Sequence, residues 1–307
     1  MSIEPSMSTS DEVKLLAAYE TGIPAGHDAS LLRRALRLWR SRIGLGCMLL
    51  VVALAVVGPF VAPHDPDEFV GPPFSARGTG NGLFGTDYLG QDVWSRFLHG
   101  GYGILTTAVI STAIGLVVGI IIGLVAAYAR NALDDVLMRA MDVIMAFPQI
   151  MLALVAVSLL GAHTWLIIAA IALTTAPRVA RVARGSAQPV VERDFIAATE
   201  SMGLSRFRIL IGELFPNILG PMMVEASLRL TYSITVIASL AFLGLAPDQN
   251  SSDWGSMIQQ NRLALATQPW GALLPILGIA VLTMGTGLFG DGIARTAAGI
   301  DRERGDE

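Results

Sequence analysis

The sequence predicts an all-α, polytopic membrane protein with six transmembrane helices, and three observations carry that expectation. The chain is 53% hydrophobic and only 15% charged over 307 residues, where a soluble domain has about 25% charged residues. Its apolar residues fall in blocks near the length needed to cross ~30 Å of hydrocarbon, at 43–61, 104–129, 143–161, 165–178, 218–245 and 271–289. Arginines flank alternate ends of those blocks, so the spans close on one consistent orientation.

Residues 1–42 read as a polar tail, with a short helix near 11–20. It ends in a basic stretch, 30–42, in which Leu31, Leu32, Leu36, Leu38 and Trp39 interleave with Arg33, Arg34, Arg37, Arg40 and Arg42. That pattern suits an interfacial helix on anionic lipid, with a regulatory contact as the alternative. A polar leader of about 40 residues and an apolar stretch beyond the usual ~7–15 argue against a cleaved signal peptide. The lone cysteine, Cys47, excludes an internal disulfide.

Residues 43–292 form the six-span domain. The first external segment, 62–103, is irregular, with Pro63, Pro66, Pro72 and Pro73. Its end reads as an amphipathic helix on the outer surface, where Asp92 and Arg96 pair at i and i+4. The second span carries Ser111, Gly115, Gly119, Gly123 and Ala127 four residues apart. One face is thus lined with small residues, which allows close backbone approach to another helix, in this chain or in a partner. The fourth block is short and is expected to continue past Pro177 as a kinked helix toward Arg184.

Residues 190–217 form the most informative segment. Two short helical pieces flank Met202-Gly203-Leu204-Ser205: Gly203 supplies a left-handed stop and Ser205 caps the second piece. Pro216-Asn217 is expected to end that piece before the fifth span. Phe195, Ile196, Ala198, Met202, Phe207, Leu210, Ile211 and Leu214 recur at helical spacing and define an apolar face. So much ordered, mixed-charge sequence in one loop of a membrane protein describes a docking surface.

The fifth span holds Glu225 and Arg229 at i and i+4. Charge inside a bilayer is expensive and faces an interior or a watery path. Either the pair neutralises itself and fixes helix rotation, or Arg229 lines a translocation cavity where a carboxylate would find a guanidinium. The second external segment is 246–270, and a tail follows at 293–307. Arg130 and Arg139, the arginines around 190–217, and Arg295, Arg302 and Arg304 lie on the side of the basic leader. Both termini and that loop are therefore expected in the cytoplasm.

Several blocks resemble a known family. Phe195-Ile196-Ala197-Ala198-Thr199, Gly203 and Phe215-Pro216-Asn217 resemble the coupling loop of ABC-importer permeases, with Ala197, Thr199 and Phe215 departing from the usual Glu, Ala and Leu. Gly85-Thr86-Asp87, Leu89-Gly90, Asp92, Ser95 and Arg96 are similar to a signature of dipeptide and oligopeptide permeases, with Gln91 replacing an Arg. Ser252-Asp253-Trp254-Gly255, Met257, Pro269-Trp270 and Gly290-Asp291-Gly292 fit the same family, C-type subunit.

The resemblance implies a type I ABC-importer permease fold in a bacterial cytoplasmic membrane. It implies ATPase coupling through Phe195, Ala198, Glu200, Met202, Gly203, Arg206, Leu214 and Pro216, a path past Glu225 and Arg229, and a gate or binding-protein contact at Asp92, Arg96, Asp253 and Trp254. Its implied partners are a homologous B-type permease, one or two ABC ATPases, an extracytoplasmic binding protein, a peptide and the bilayer, with no nucleic acid. Nickel chelates, glutathione and other small solutes are alternative cargoes within the family.

The chain has no Walker A sequence: its single lysine, Lys14, lies outside any such context. No cofactor is therefore expected on this chain, with ATP and magnesium on the partner ATPases. The histidines His27, His64, His99 and His163 have no metal-ligand or catalytic spacing, and no Gly-x-Ser-x-Gly accompanies Ser186. An intramembrane protease and a secondary transporter are the readings from other classes. The first lacks its residues; the second shows no internal repeat and has no use for a docking loop.

Overall fold

In hydrocarbon an apolar segment must satisfy its own backbone, so the apolar blocks become helices. The computed structural model describes residues 33–78, 82–129, 131–247 and 252–297. Among them, helices α1 (Trp39–Val61), α2 (Val93–Ala129) and α5 (Thr164–Val191), the continuous helical run Arg206–Phe242, and α9 (Trp270–Ala297) are each long and apolar enough to cross a membrane. Helices α3 (Ala132–Met145) and α4 (Gln149–Leu160) meet at 74° and are long and apolar enough only as a pair, so the described residues hold five spanning helices, or six with this bent pair counted as one. The apolar block expected over 143–161 is thus the end of α3, a 74° bend and α4, not one continuous helix. Pro148 disfavours helical backbone at Phe147, and the chain turns there before α4 begins.

Other boundaries move too. Helix α2 starts at Val93 and runs unbroken for 37 residues, about 55 Å. The expected separate surface helix is its first turns, where Val93, Ser95, Arg96, Phe97 and Leu98 are buried. Helix α5 continues past Pro177, as expected, and runs beyond Arg184 to Val191 with Pro177 and Pro189 inside it. Extended backbone at Leu38 separates the basic leader from α1, so 30–42 is not one helix. The expected helix near 11–20, the rest of the tail up to residue 32, and residues 298–307 lie outside the described residues.

The small-residue stripe packs within the chain. A Cβ on Gly115, Gly119 or Gly123 would meet Thr175 Cβ at 2.8 Å, Ala176 O at 2.6 Å and Ala180 O at 2.5 Å, all on α5. Backbone contact that close is a main source of helix association in lipid. Helix α1 is held to α9 in the same way: a Cβ on Gly44 would stand 2.6 Å from Phe289 N.

Two apolar clusters fill the bundle. One, around Phe97, Ile171, Ile234, Leu240, Trp254 and Met257, lies toward the face that carries the segments 62–92 and 252–270. We call this the platform face. The other, around Leu124, Val179, Ile196, Ile209, Leu214 and Ile218, lies under the hairpin at the opposite face.

Candidate functional site

Helix α6 (Asp194–Ser201) closes with a Schellman motif. The Gly203 N–H donates to Glu200 O at 2.9 Å and the Leu204 N–H to Thr199 O at 3.2 Å. This geometry needs a left-handed residue, and Gly203 has φ +80°. Ser205 then caps the next turn, its hydroxyl accepting from the Arg208 N–H.

Pro216 does not end the second piece as expected. A helical turn at Arg206–Arg208 passes into a π-helical stretch, Ile209–Leu214, and on into α7 (Phe215–Phe242). In the wider turn the Phe215 N–H reaches Leu210 O, and Asn217 Nδ2 donates to Glu213 O at 2.7 Å. Pro216 sits in the first turn of α7, where a missing N–H is tolerated.

The apolar face also divides. Ile196, Ile209 and Leu214 are buried and bind the hairpin to the lower cluster. Leu214 is therefore an anchor and presents nothing to another protein. Met202 and Phe207 are 70% and 72% exposed, and Ile211 is exposed beside them. Ala198, Glu200, Gly203, Arg206 and Pro216 are exposed, while Phe195 is half-buried against the cluster. The outward surface is thus a Met202–Phe207–Ile211 ridge with charges around it.

Three contacts that spacing could not reveal tie together the elements around this hairpin, and one of them reaches it. Arg184 grips Asp134 with both Nε and Nη2, each at 2.6 Å. Arg181 pairs with Asp142, so α5 is tied twice to α3. Glu200 lies in hydrogen-bonding reach of the Tyr128 hydroxyl at the end of α2. These partners are 39 to 72 residues apart, and no local pattern marks them.

Within the span, Arg229 Nε stands 2.7 Å from Glu225 Oε1, as the spacing predicts. The Arg229 guanidinium also covers the Tyr232 ring at 5.1 Å. Glu225 is buried, while Tyr232 is exposed on the face of α7 that also exposes Leu228 and Thr235. The pair therefore borders an uncovered helix face.

The platform departs furthest from expectation. Arg96 does not pair with Asp92; its Nη1 contacts Asp87 Oδ2 and lies 3.3 Å from Gln260 Oε1. Asp87 Oδ1 accepts from the Leu89 and Gln91 N–H groups, both at 2.9 Å. Asp92 instead caps α2, accepting from Ser95 N–H and Oγ–H at 3.0 and 2.6 Å. Trp254 donates its indole N–H to Phe97 O at 2.9 Å and stacks on the Phe97 ring. Asp92, Arg96 and Trp254 are all essentially inaccessible, so none offers a side chain to a docking protein. Their function is to hold the platform together. The large apolar side chains exposed there include Phe69, Leu83 and Leu263, the last 90% exposed.

Asp253 differs from the other three. Its Oδ1 accepts from the Gly255 and Ser256 N–H groups and caps α8 (Trp254–Asn261). Burial pushes its carboxyl up, against those two donors, which pull it down. A raised carboxyl pKa means that ionisation costs folding stability. Its contribution is complete below the ordinary value of 3.8 and is lost as pH rises through the folded value.

Comparison with known proteins agrees with this architecture. Residues 115–297 match the family described as binding-protein-dependent transport system inner membrane component. A protein of Brucella suis biovar 1 that carries the name of a peptide transport system permease is 36% identical over 85% of this chain and 88% of its own length. The di/tripeptide transport system permease protein DppC of Pseudomonas aeruginosa is 33% identical over 81% of this chain and 84% of its own. The glutathione transport system permease protein GsiD of Escherichia coli is also 33% identical, over 84% and 86%. Among solved structures, an inward-facing MetNI methionine ABC transporter gives a TM-score of 0.53 at 18% identity, over 66% of this chain and 96% of its own. That likeness concerns the fold.

Proposed function

Since the chain belongs to the family of binding-protein-dependent transport system inner membrane components, and is a permease subunit of an ABC importer, we propose that it carries di- or oligopeptides, in partnership with a homologous permease. Relatives named for peptide transport support that cargo; one named for glutathione keeps a tripeptide-like thiol as the second reading. The observation that carries the mechanism is the exposed ridge Met202–Phe207–Ile211 on a hairpin that is rigidly anchored below.

Cytoplasmic ATPases receive that ridge in a surface cleft, with Glu200, Arg206 and Arg208 at its rim. Their ATP-driven closure moves the hairpin, and with it α5 and α7, because Ile196, Ile209 and Leu214 leave it little freedom to move alone. Both termini lie with the hairpin in the cytoplasm, as the arginine distribution directs. The platform then faces outward, where an extracytoplasmic binding protein delivers the cargo. ATP and magnesium belong to the ATPases.

Tagged chain isolated in mild detergent from native membranes should bring down a Walker-motif ATPase and a second six-span permease. The reconstituted assembly should take up a labelled dipeptide only with ATP inside the ATPase compartment. Saturable glutathione uptake with no dipeptide uptake would move the cargo to the second reading. Uptake driven by a proton gradient without ATP would overturn the importer mechanism.

Arg229→Gln should assemble normally and lower dipeptide uptake about tenfold if a cargo carboxylate meets the guanidinium in transit. The loss should be smaller for a C-terminally amidated dipeptide. Equal loss for both would assign the pair to helix positioning alone.

A further inference from the structure

A cavity of about 340 Å³ lies between the platform ends of α2, α5 and α7 and the segment leading into α8. No function assigned so far uses it. Its polar wall consists of His99, Thr106 and Thr107 from α2, Thr164 from α5, and Ser252 and Asp253. Ile167, Ile237 and Ala241 supply the apolar wall. Tyr102 and Thr164 are exposed at its mouth.

The hydrogen-bond roles around this cavity are lopsided. Asp253 Oδ1 is occupied by the α8 N–H groups, but Oδ2 turns toward α2: a Cβ on Gly103 would stand 3.9 Å from it. His99 Nδ1 contacts Ser95 O at 2.8 Å, and because a carbonyl only accepts, that nitrogen carries the proton. In the tautomer this contact fixes, Nε2 is the ring's acceptor. The Thr106 hydroxyl donates to Tyr102 O at 2.8 Å, so only its lone pairs remain free. No arginine or lysine is among the lining residues. Among the described residues, the space therefore holds a carboxylate oxygen and further acceptors, with no cationic donor to match the carboxylate.

Capping alone does not call for a carboxylate. Asparagine caps a helix about as well as aspartate, and burying the charge works against the fold, as the raised Asp253 carboxyl shows. We propose that this cavity is a binding subsite for a primary ammonium group, with Asp253 Oδ2 as its counter-charge and the His99 and threonine acceptors as its remaining partners. An ammonium offers three donors, which matches an acceptor-rich wall. The alkyl stem it carries would lie against Ile167, Ile237 and Ala241. The inference stands on the cavity alone and does not require the transported cargo to be a peptide.

The test uses the purified permease–ATPase assembly in nanodiscs, without binding protein, titrated calorimetrically with alanyl-alaninamide. This probe has a free ammonium and no carboxylate. It should bind the wild-type assembly, and Asp253→Asn should weaken it about tenfold or more while keeping the α8 cap. That variant should melt no lower than wild type at neutral pH. Thr164→Lys, at the exposed mouth, should abolish binding by supplying an internal ammonium.

N-acetyl-alanyl-alaninamide should not bind. Equal binding of the acetylated probe, unchanged affinity in Asp253→Asn, or displacement by sodium as effective as by methylammonium would each overturn the proposal. Disc composition identifies the natural source of the ammonium. Affinity that falls in phosphatidylethanolamine discs relative to phosphatidylglycerol discs assigns a lipid headgroup, and unchanged affinity assigns a soluble amine.

Discussion

Gly203→Val is expected to reduce ATP-driven uptake to background while the chain still inserts and keeps its bundle. The cause is conformational. No atom lies within 4 Å of a Cβ built on Gly203, so the substitution meets no steric obstacle. What it meets is φ +80°, which β-branched residues avoid at a cost of about 1–3 kcal/mol. Both Schellman hydrogen bonds depend on that angle, and they set the direction in which α6 leaves the turn.

The global fold should survive, because Ile196, Ile209 and Leu214 are held by the lower cluster. The ridge, however, would lose its fixed orientation relative to α6. The order of uptake should be Gly, then Asn, then Ala, then Val, since Asn tolerates left-handed backbone better than other side chains. ATP hydrolysis measured on the same proteoliposomes separates coupling from assembly. Normal uptake by Gly203→Val in an intact complex would show that the hairpin does not act as a rigid lever.

The local features of this hairpin were legible because they depend on local chemistry. A glycine followed by a serine two residues later is a stop and a cap wherever it occurs in such a pattern, and both were found in place. Glu225–Arg229 was legible for the same reason, being one helical turn apart. Pro216 misled because a proline usually marks a helix end, whereas here a π-helical stretch absorbs it. The Asp92–Arg96 expectation failed for a related reason. The i,i+4 rule describes an exposed helix, but Asp92 sits at the start of α2, where its carboxylate serves Ser95, and Arg96 turns inward to Asp87. The stripe from Ser111 to Ala127 showed that a helix would pack closely there, and only tertiary structure could name α5 as the partner. Asp253 carries no sequence signal separating it from an ordinary cap; its distinction is a cavity assembled from four separated segments.

Loss of either member of the Asp87–Arg96 pair should be the most damaging single change to stability in the platform. Both side chains are wholly inaccessible. Asp87 makes three side-chain contacts at once: Oδ1 fixes the loop at Leu89 and Gln91, and Oδ2 meets Arg96. Through Gln260, Arg96 extends the link to α8, whose Trp254 packs under α2 and α9. Asp87→Asn would keep the loop acceptor and remove the charge that Arg96 meets at Oδ2; Arg96→Leu would remove the charge that Asp87 meets. Removing one partner of a buried ion pair costs about 3–5 kcal/mol. Each single variant should therefore melt well below the wild-type complex and expose the 62–92 segment to protease. The double variant should be less damaged than the sum of the two, because both changes remove the same Asp87–Arg96 contact. If the single variants melt as wild type and the cycle shows no coupling, the platform is held instead by the apolar contacts around Trp254, and the ion pair is incidental to its stability.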